Sequence, residues 1–130
     1  PVSRQALDDP RVITATRSGA DPLFTADYVI TDYSTVMYEA GLMGVPVYLY
    51  AYDWDTYHEK RSFNIDLARD VPTLFTDDAA AIVTAIELGQ FNEQAFARFT
   101  ESNIATLAGE SATQHLTRHI IALAEEQPPR

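Results

Sequence analysis

Residues 28–50 read "YVITDYSTVMYEAGLMGVPVYLY". Tyr28-Val29-Ile30-Thr31 is apolar without alternation, the pattern of a parallel strand covered on both faces. Asp32-Tyr33-Ser34 interrupts it. From Thr35 to Met43 the apolar side chains Val36, Met37, Ala40 and Met43 recur at i, i+1, i+4 and i+7, which predicts a helix. Gly44 supplies a helix stop and Pro46 forbids continuation. A second apolar run, Val45–Tyr50, reads as the next strand. Strand, helix and strand in that order make a crossover unit of a parallel sheet.

The same grammar extends outward. Val12, Ile13, Thr14 and Thr16 are β-formers and predict a strand over Arg11–Thr16. Asp21-Pro22 opens a brief helical turn over Leu23, Phe24 and Ala26. Ala51–Asp70 is aromatic and charged without a period, and reads as a long ordered loop with one or two helical turns. Thr73–Phe75 is a fourth short strand. Asp77 is expected to cap a helix over Asp78–Leu88 whose inward face is Ala79, Ile82, Val83 and Ile86, with Gly89 as its end. A helix over Phe91–Leu107 would turn Phe91, Ala95, Phe99 and Ser102 to one side. Ser111 caps a last helix through Glu125, with Leu116, Ile120 and Leu123 inward. Residues 127–130, with Pro128-Pro129, form a tail to a single domain over 1–126. The expectation is an α/β fold with four strands, a small sheet. Together with a first residue that is not Met, it suggests a piece of a longer protein with further strands upstream.

The chain has 130 residues, 46% of them hydrophobic, and one domain's worth of core. No apolar run reaches the length of a membrane span. Cysteine is absent, which excludes disulfides, thiolate catalysis and Cys-ligated zinc. The formal charge of -10 comes from 19 acidic and 9 basic residues, so no basic face for nucleic acid is expected. Anion binding by local backbone donors stays compatible with that charge.

The Asp32–Glu39 segment is where such donors would stand. A helix that begins at the C-terminal end of a parallel strand presents unpaired N–H groups and partial positive charge at the edge where open α/β sheets bind ligands. Ser34 and Thr35 add two hydroxyls, so the junction can cradle a phosphate or pyrophosphate. Glu39 lies within range of a sugar hydroxyl attached to it. The plain alternative is an N-cap without a ligand. Asp32 can serve as ligand contact, base or turn former. No glycine run makes this a P-loop or a dinucleotide fingerprint.

Ala26-Asp27-Tyr28-Val29-Ile30-Thr31-Asp32-Tyr33-Ser34-Thr35, followed by Pro46–Leu49, Tyr52-Asp53, Tyr57 and Arg61-Ser62-Phe63-Asn64, resembles the CDP-glycerol glycerophosphotransferase family of teichoic-acid polymerases and primases. Asp66 and the Gly109-Glu110-Ser111 turn continue the match more loosely, over about 100 residues from Val12 to Ile121. Thr35 stands for the family's second serine and Ser62 for its glycine after the arginine. The resemblance implies a Rossmann-like domain, the C-terminal, nucleotide-binding half of a GT-B-like transferase. It implies a CDP-glycerol or CDP-ribitol donor, a lipid-linked polymer acceptor, an upstream domain of the same protein, and work at the inner face of the cell membrane. By the same carry-over Ser34 and Thr35 hold the donor phosphates, Asp32 shapes their loop, and Glu39 faces the ribose. The family's catalytic histidines lie upstream, and Pro1–Asp9 contains no His to match them.

Among the remaining polar residues, Arg61 is placed to clamp a phosphoryl group in bidentate fashion, with an ion pair to Glu59 or Asp66 as the plain alternative. No general base declares itself; His58 and Asp32 come nearest. Trp54, Tyr52 and Tyr57 either stack on a base or sugar or pack the loop onto its domain. His115 and His119 share a helical face, but no third zinc ligand accompanies them. No tightly bound cofactor is expected, and no acidic cluster demands Mg²⁺. Two other readings stay open: half of a GT-B glycosyltransferase or nucleotide-sugar epimerase, and a non-catalytic α/β interaction module.

Overall fold

The computed structural model describes residues 9–12, 21–104 and 109–126. After a 3-10 turn at Asp21–Thr25, the chain forms β1 (Val29–Thr31), α1 (Val36–Leu42), β2 (Val47–Tyr50), α2 (Trp54–Tyr57) and α3 (Leu67–Asp70). It continues through β3 (Phe75–Thr76), α4 (Ala79–Glu87), α5 (Glu93–Asn103) and α6 (Ala112–Glu126). The three strands make one parallel sheet in the order β1-β2-β3. Val29 pairs with Val47, Thr31 with Leu49, and Leu49 in turn with Phe75. The expected strand over Arg11–Thr16 lies mostly outside the described residues, as do Leu107 and the tail at 127–130. Arg11 and Val12 themselves belong to a turn that the Val12 N–H closes by donating to the Asp9 carbonyl.

The central strand explains the two-layer cover. Val47, Tyr48 and Leu49 are all buried, as an unbroken apolar strand requires. Val47 and Leu49 join the larger core with Met37 and Ala40 of α1 and Phe96 and Phe99 of α5. Tyr48 points the other way, into a smaller cluster with Ile82 and Ala85 of α4. Helices α1 and α5 touch so closely that a Cβ on Gly41 would collide with Thr100 Oγ1. Gly44 and Gly89, at φ 71° and 62°, end α1 and α4 in the left-handed region that glycine enters without strain.

Several expectations are corrected. β1 is not covered on both faces, because Ile30 is 48% exposed at the edge of the described sheet. The third strand is Phe75–Thr76 rather than Thr73–Phe75, and the described sheet has three strands. Thr73 drops out of the ladder because its N–H turns back to the Val71 carbonyl and its hydroxyl donates to the Val47 carbonyl. α4 is capped by Asp78, not Asp77, and its buried face is Ile82 and Ala85 while Ala79 and Val83 are exposed. α5 starts after Asn92, which accepts the Ala95 N–H. Its buried face is therefore Phe96, Phe99 and Thr100, and Phe91 packs from outside the helix against Tyr48 and Phe96. Ser111 does cap α6, in a reciprocal pair with Gln114. The Leu116, Ile120 and Leu123 face of that helix is exposed, not inward. An apolar period defines a face but not what covers it.

Candidate functional site at the C-terminal edge of the sheet

Parallel strands bring three junctions to one edge. β1 runs into Asp32–Thr35, β2 into Ala51–Asp53 and β3 into Asp77-Asp78. At the first junction Asp32 Oδ1 accepts the Ser34 N–H at 3.0 Å, a tight side-chain turn that reverses the chain out of β1. Asp32 thus shapes the turn, and it occupies one amide that would otherwise face outward. Ser34 Oγ accepts the Val36 N–H only at 3.4 Å. Thr35 stands at the N-cap position with its hydroxyl unspent on the helix. Its amide finds no acceptor among the described residues. Asp32, Ser34 and Thr35 are all exposed, so the end of α1 is open. Glu39 is exposed one turn further along the same helix.

The second junction carries the aromatic loop. Trp54 and Tyr57 are half-buried, and with Phe63 they surround Tyr33 at ring separations of 5.3, 4.4 and 6.0 Å. The Tyr33 hydroxyl donates to Asp53 Oδ1 at 2.9 Å. Burial, and then that carboxylate, push the Tyr33 phenol well above the ordinary tyrosine range, so it remains a donor at neutral pH. Trp54 and Tyr57 therefore pack the loop onto the domain, whereas Tyr52 is 62% exposed beside Tyr50. An open depression of about 420 Å³ lies between the ends of β2 and β3, lined by Tyr52, Asp53, Trp54, Thr76 and Asp77 among others.

Arg61 and His58 line a different depression, of about 720 Å³, with Trp54, Asp66, Arg69 and Asp70. No residue of the Asp32–Thr35 turn is part of its wall. Arg69 is committed to Asp70 at 2.7 Å and holds that carboxyl below the usual range. Arg61 makes no ion pair among the described residues, with Glu59 and Asp66 included. His58 stacks on Trp54, and its Nδ1 lies 2.8 Å from the Trp54 carbonyl. A carbonyl only accepts, so Nδ1 carries the proton and Nε2 is the free nitrogen of the neutral ring. His115, on α6, is engaged by Glu110 just before that helix. Among the described residues no group of three His, Asp or Glu side chains is arranged to hold a metal.

Asp32, Ser34, Thr35 and Glu39 stand together on one turn and helix start, as their spacing implies. The structure gives Arg61 and His58 a wall of their own. It also brings forward Tyr33 and Asp53, which the sequence reading treated only as letters of a motif. The available signal was an aromatic residue inside a polar turn and an Asp beside a run of aromatics.

The sequence profile of the CDP-glycerol:poly(glycerophosphate) glycerophosphotransferase family matches residues 6–121. The chain belongs to this family. It is similar to the teichoic acid poly(ribitol-phosphate) polymerase of Bacillus spizizenii, 28% identical over 106 residues, covering 82% of the chain and 17% of that protein. It is also similar to the teichoic acid glycerol-phosphate transferase of Staphylococcus aureus, 34% identical over 69 residues, 52% of the chain and 18% of that protein. The chain therefore spans less than a fifth of the length of these family members. In fold it resembles the wall teichoic acid polymerase TagF, with a TM-score of 0.56 at 22% identity, over 83% of the chain and 27% of that structure. Among the described residues no helix is long and apolar enough to cross a membrane.

Proposed function

We propose that this chain is the donor-nucleotide-binding domain of a polyol-phosphate transferase, spanning residues 1–126 with a tail at 127–130. In this reading the full protein joins it to an upstream domain in a GT-B arrangement and works at the inner face of the cell membrane. The donor is CDP-glycerol or CDP-ribitol, and the acceptor is a terminal hydroxyl of a lipid-linked polymer. The acceptor oxygen bonds to the phosphorus that carries the polyol, the bond from that phosphorus to the bridging oxygen breaks, and CMP leaves with the electron pair. The acceptor proton passes to a base supplied outside this chain.

The observation that carries the reading is the open junction of β1 and α1 in a chain of this family. Ser34 and Thr35 are exposed there, the Thr35 hydroxyl unspent on the helix and the Ser34 hydroxyl held only by a long 3.4 Å bond from the Val36 N–H. They and the Thr35 amide would hold the donor phosphates. Asp32 keeps their turn in shape, and Glu39 faces the ribose. Arg61 stabilises charge on the transferring phosphoryl group once the second domain closes the cleft. The chain alone binds nucleotide with little turnover.

The test is a titration of the chain with CDP-glycerol, CMP, UDP and a UDP-sugar. Cytidine nucleotides are expected to bind with the diphosphate tightest. Preference for uridine nucleotides, or saturation by none of them in either the chain or the full-length protein, overturns the reading.

A further inference from the structure

Asp53 occupies the N-cap position of α2, where an aspartate ordinarily accepts an amide of the first turn. Its side chain makes no such bond. It reaches instead across 20 positions of sequence to the Tyr33 hydroxyl, at 2.9 Å and partly buried. Tyr33 sits between Asp32 and Ser34 in the turn that opens α1. Asp53 opens the loop that carries His58 and Arg61. The ring of Tyr33 is embedded among Trp54, Tyr57 and Phe63, so both the ring and its hydroxyl are fixed by that loop.

We propose that Tyr33 is a positioning residue whose hydroxyl bond to Asp53 locks the Asp32–Thr35 turn to the Trp54–Phe63 loop. The inference rests on the donor reading of Ser34 and Thr35, and adds to it the device that holds the turn and the loop in one arrangement. A tyrosine whose task was only packing would be served by phenylalanine, and an aspartate whose task was only capping would bond its own helix. The two residues give up those local roles to each other. A turn built from one Asx bond and a loop with one short helical piece are each soft alone. Cross-bonding them lowers the ordering cost that a bound donor would otherwise meet.

The test combines Tyr33→Phe, Asp53→Ala and Asp53→Asn in the 130-residue chain. Amide exchange is followed at Ser34 and Val36 on one side and at Tyr57, His58 and Arg61 on the other, together with CDP-glycerol affinity read from Trp54, the only tryptophan. Tyr33→Phe and Asp53→Ala are each expected to speed exchange in both segments and to weaken CDP-glycerol binding roughly tenfold, the size of one hydrogen bond to a charged partner. The double variant should be no worse than either single one. Asp53→Asn keeps an acceptor for the hydroxyl and should restore both readouts, while exchange in α4 and α5 stays constant throughout. Loosening of one segment only, or of neither, overturns the lock, as does an Asp53→Asn as damaged as Asp53→Ala. Unchanged donor affinity in a loosened Tyr33→Phe overturns the positioning role. Loosening of both segments in a chain that takes no CDP-glycerol leaves the joint in place and refutes the donor reading instead.

Discussion

Two strand-to-helix junctions stand at the same edge of the sheet and are finished differently. Where β3 enters α4, Asp78 Oδ1 accepts the Ala80 N–H at 2.8 Å and Thr76 Oγ1 accepts the Asp78 N–H at 3.1 Å. The helix satisfies its own first donors. Where β1 enters α1, Thr35 makes no cap bond, the Ser34 bond is long, and Asp32 tightens the turn rather than the helix. A seven-residue helix left so open would not hold in isolation. It holds because Met37 and Ala40 are buried and Gly41 lets Thr100 of α5 press against its backbone. Stability at one junction comes from a local cap; at the other it comes from the helix's far side, which leaves the near end exposed.

The comparison is broken most severely from behind. Gly41→Val would drive side-chain atoms into Thr100 and force α1 from α5, and a loss of about 3 kcal/mol in urea unfolding is expected from overpacking of this kind. A stability within ~0.5 kcal/mol of the unaltered chain would show that the contact yields. Next in size, Ser34→Ala with Thr35→Ala should cost between roughly tenfold and a hundredfold in CDP-glycerol affinity, as two hydrogen bonds to a phosphate would. The same double variant should leave the unfolding midpoint nearly in place, because Thr35 makes no cap bond and the Ser34 bond to the Val36 N–H is long. Unchanged affinity would remove the cradle. Asp78→Ala should behave inversely, losing about 1 kcal/mol of stability with donor affinity intact.

The smallest effect is a dependence on alkaline pH. Burial raises the phenols of Tyr33, Tyr38 and Tyr48 above the ordinary value of about 10. The folded state then holds these protons more tightly than the unfolded chain does. The contribution is complete below about pH 10 and is lost as pH rises through the folded values. Denaturation midpoints should therefore be flat up to about pH 9 and fall beyond it, less steeply in Tyr33→Phe. An equal fall in both would take Tyr33 out of the account.

Much of the frame was legible before any coordinates. The run from Val45 to Tyr50 without a polar break demanded a strand, and the break at Asp32–Ser34 demanded a junction; that Val47 to Leu49 rather than β1 is covered on both faces came from the packing. Gly44 and Gly89 ended their helices because a positive φ has few other takers. Misreadings fell where local pattern under-determines partners. Val83 and Ala85 both suit a helix, and only the position of Tyr48 on the sheet chose Ala85. Leu116, Ile120 and Leu123 form an apolar stripe, yet no described element covers them.

By itself, then, the order of residues determined the succession of strands and helices, the turn at Asp32, the two hydroxyls beside it and the family to which the chain belongs. These depend on backbone sterics, on side-chain period and on short-range bonding, all of which act within a few positions. Only the tertiary structure decided that Asp53 would leave its own helix for Tyr33, that Arg61 and His58 would share a separate wall, and that the start of α1 would stay open. The bond from Tyr33 to Asp53 spans 20 positions and is made possible by the pairing of β1 with β2, where distance in space no longer follows distance along the chain.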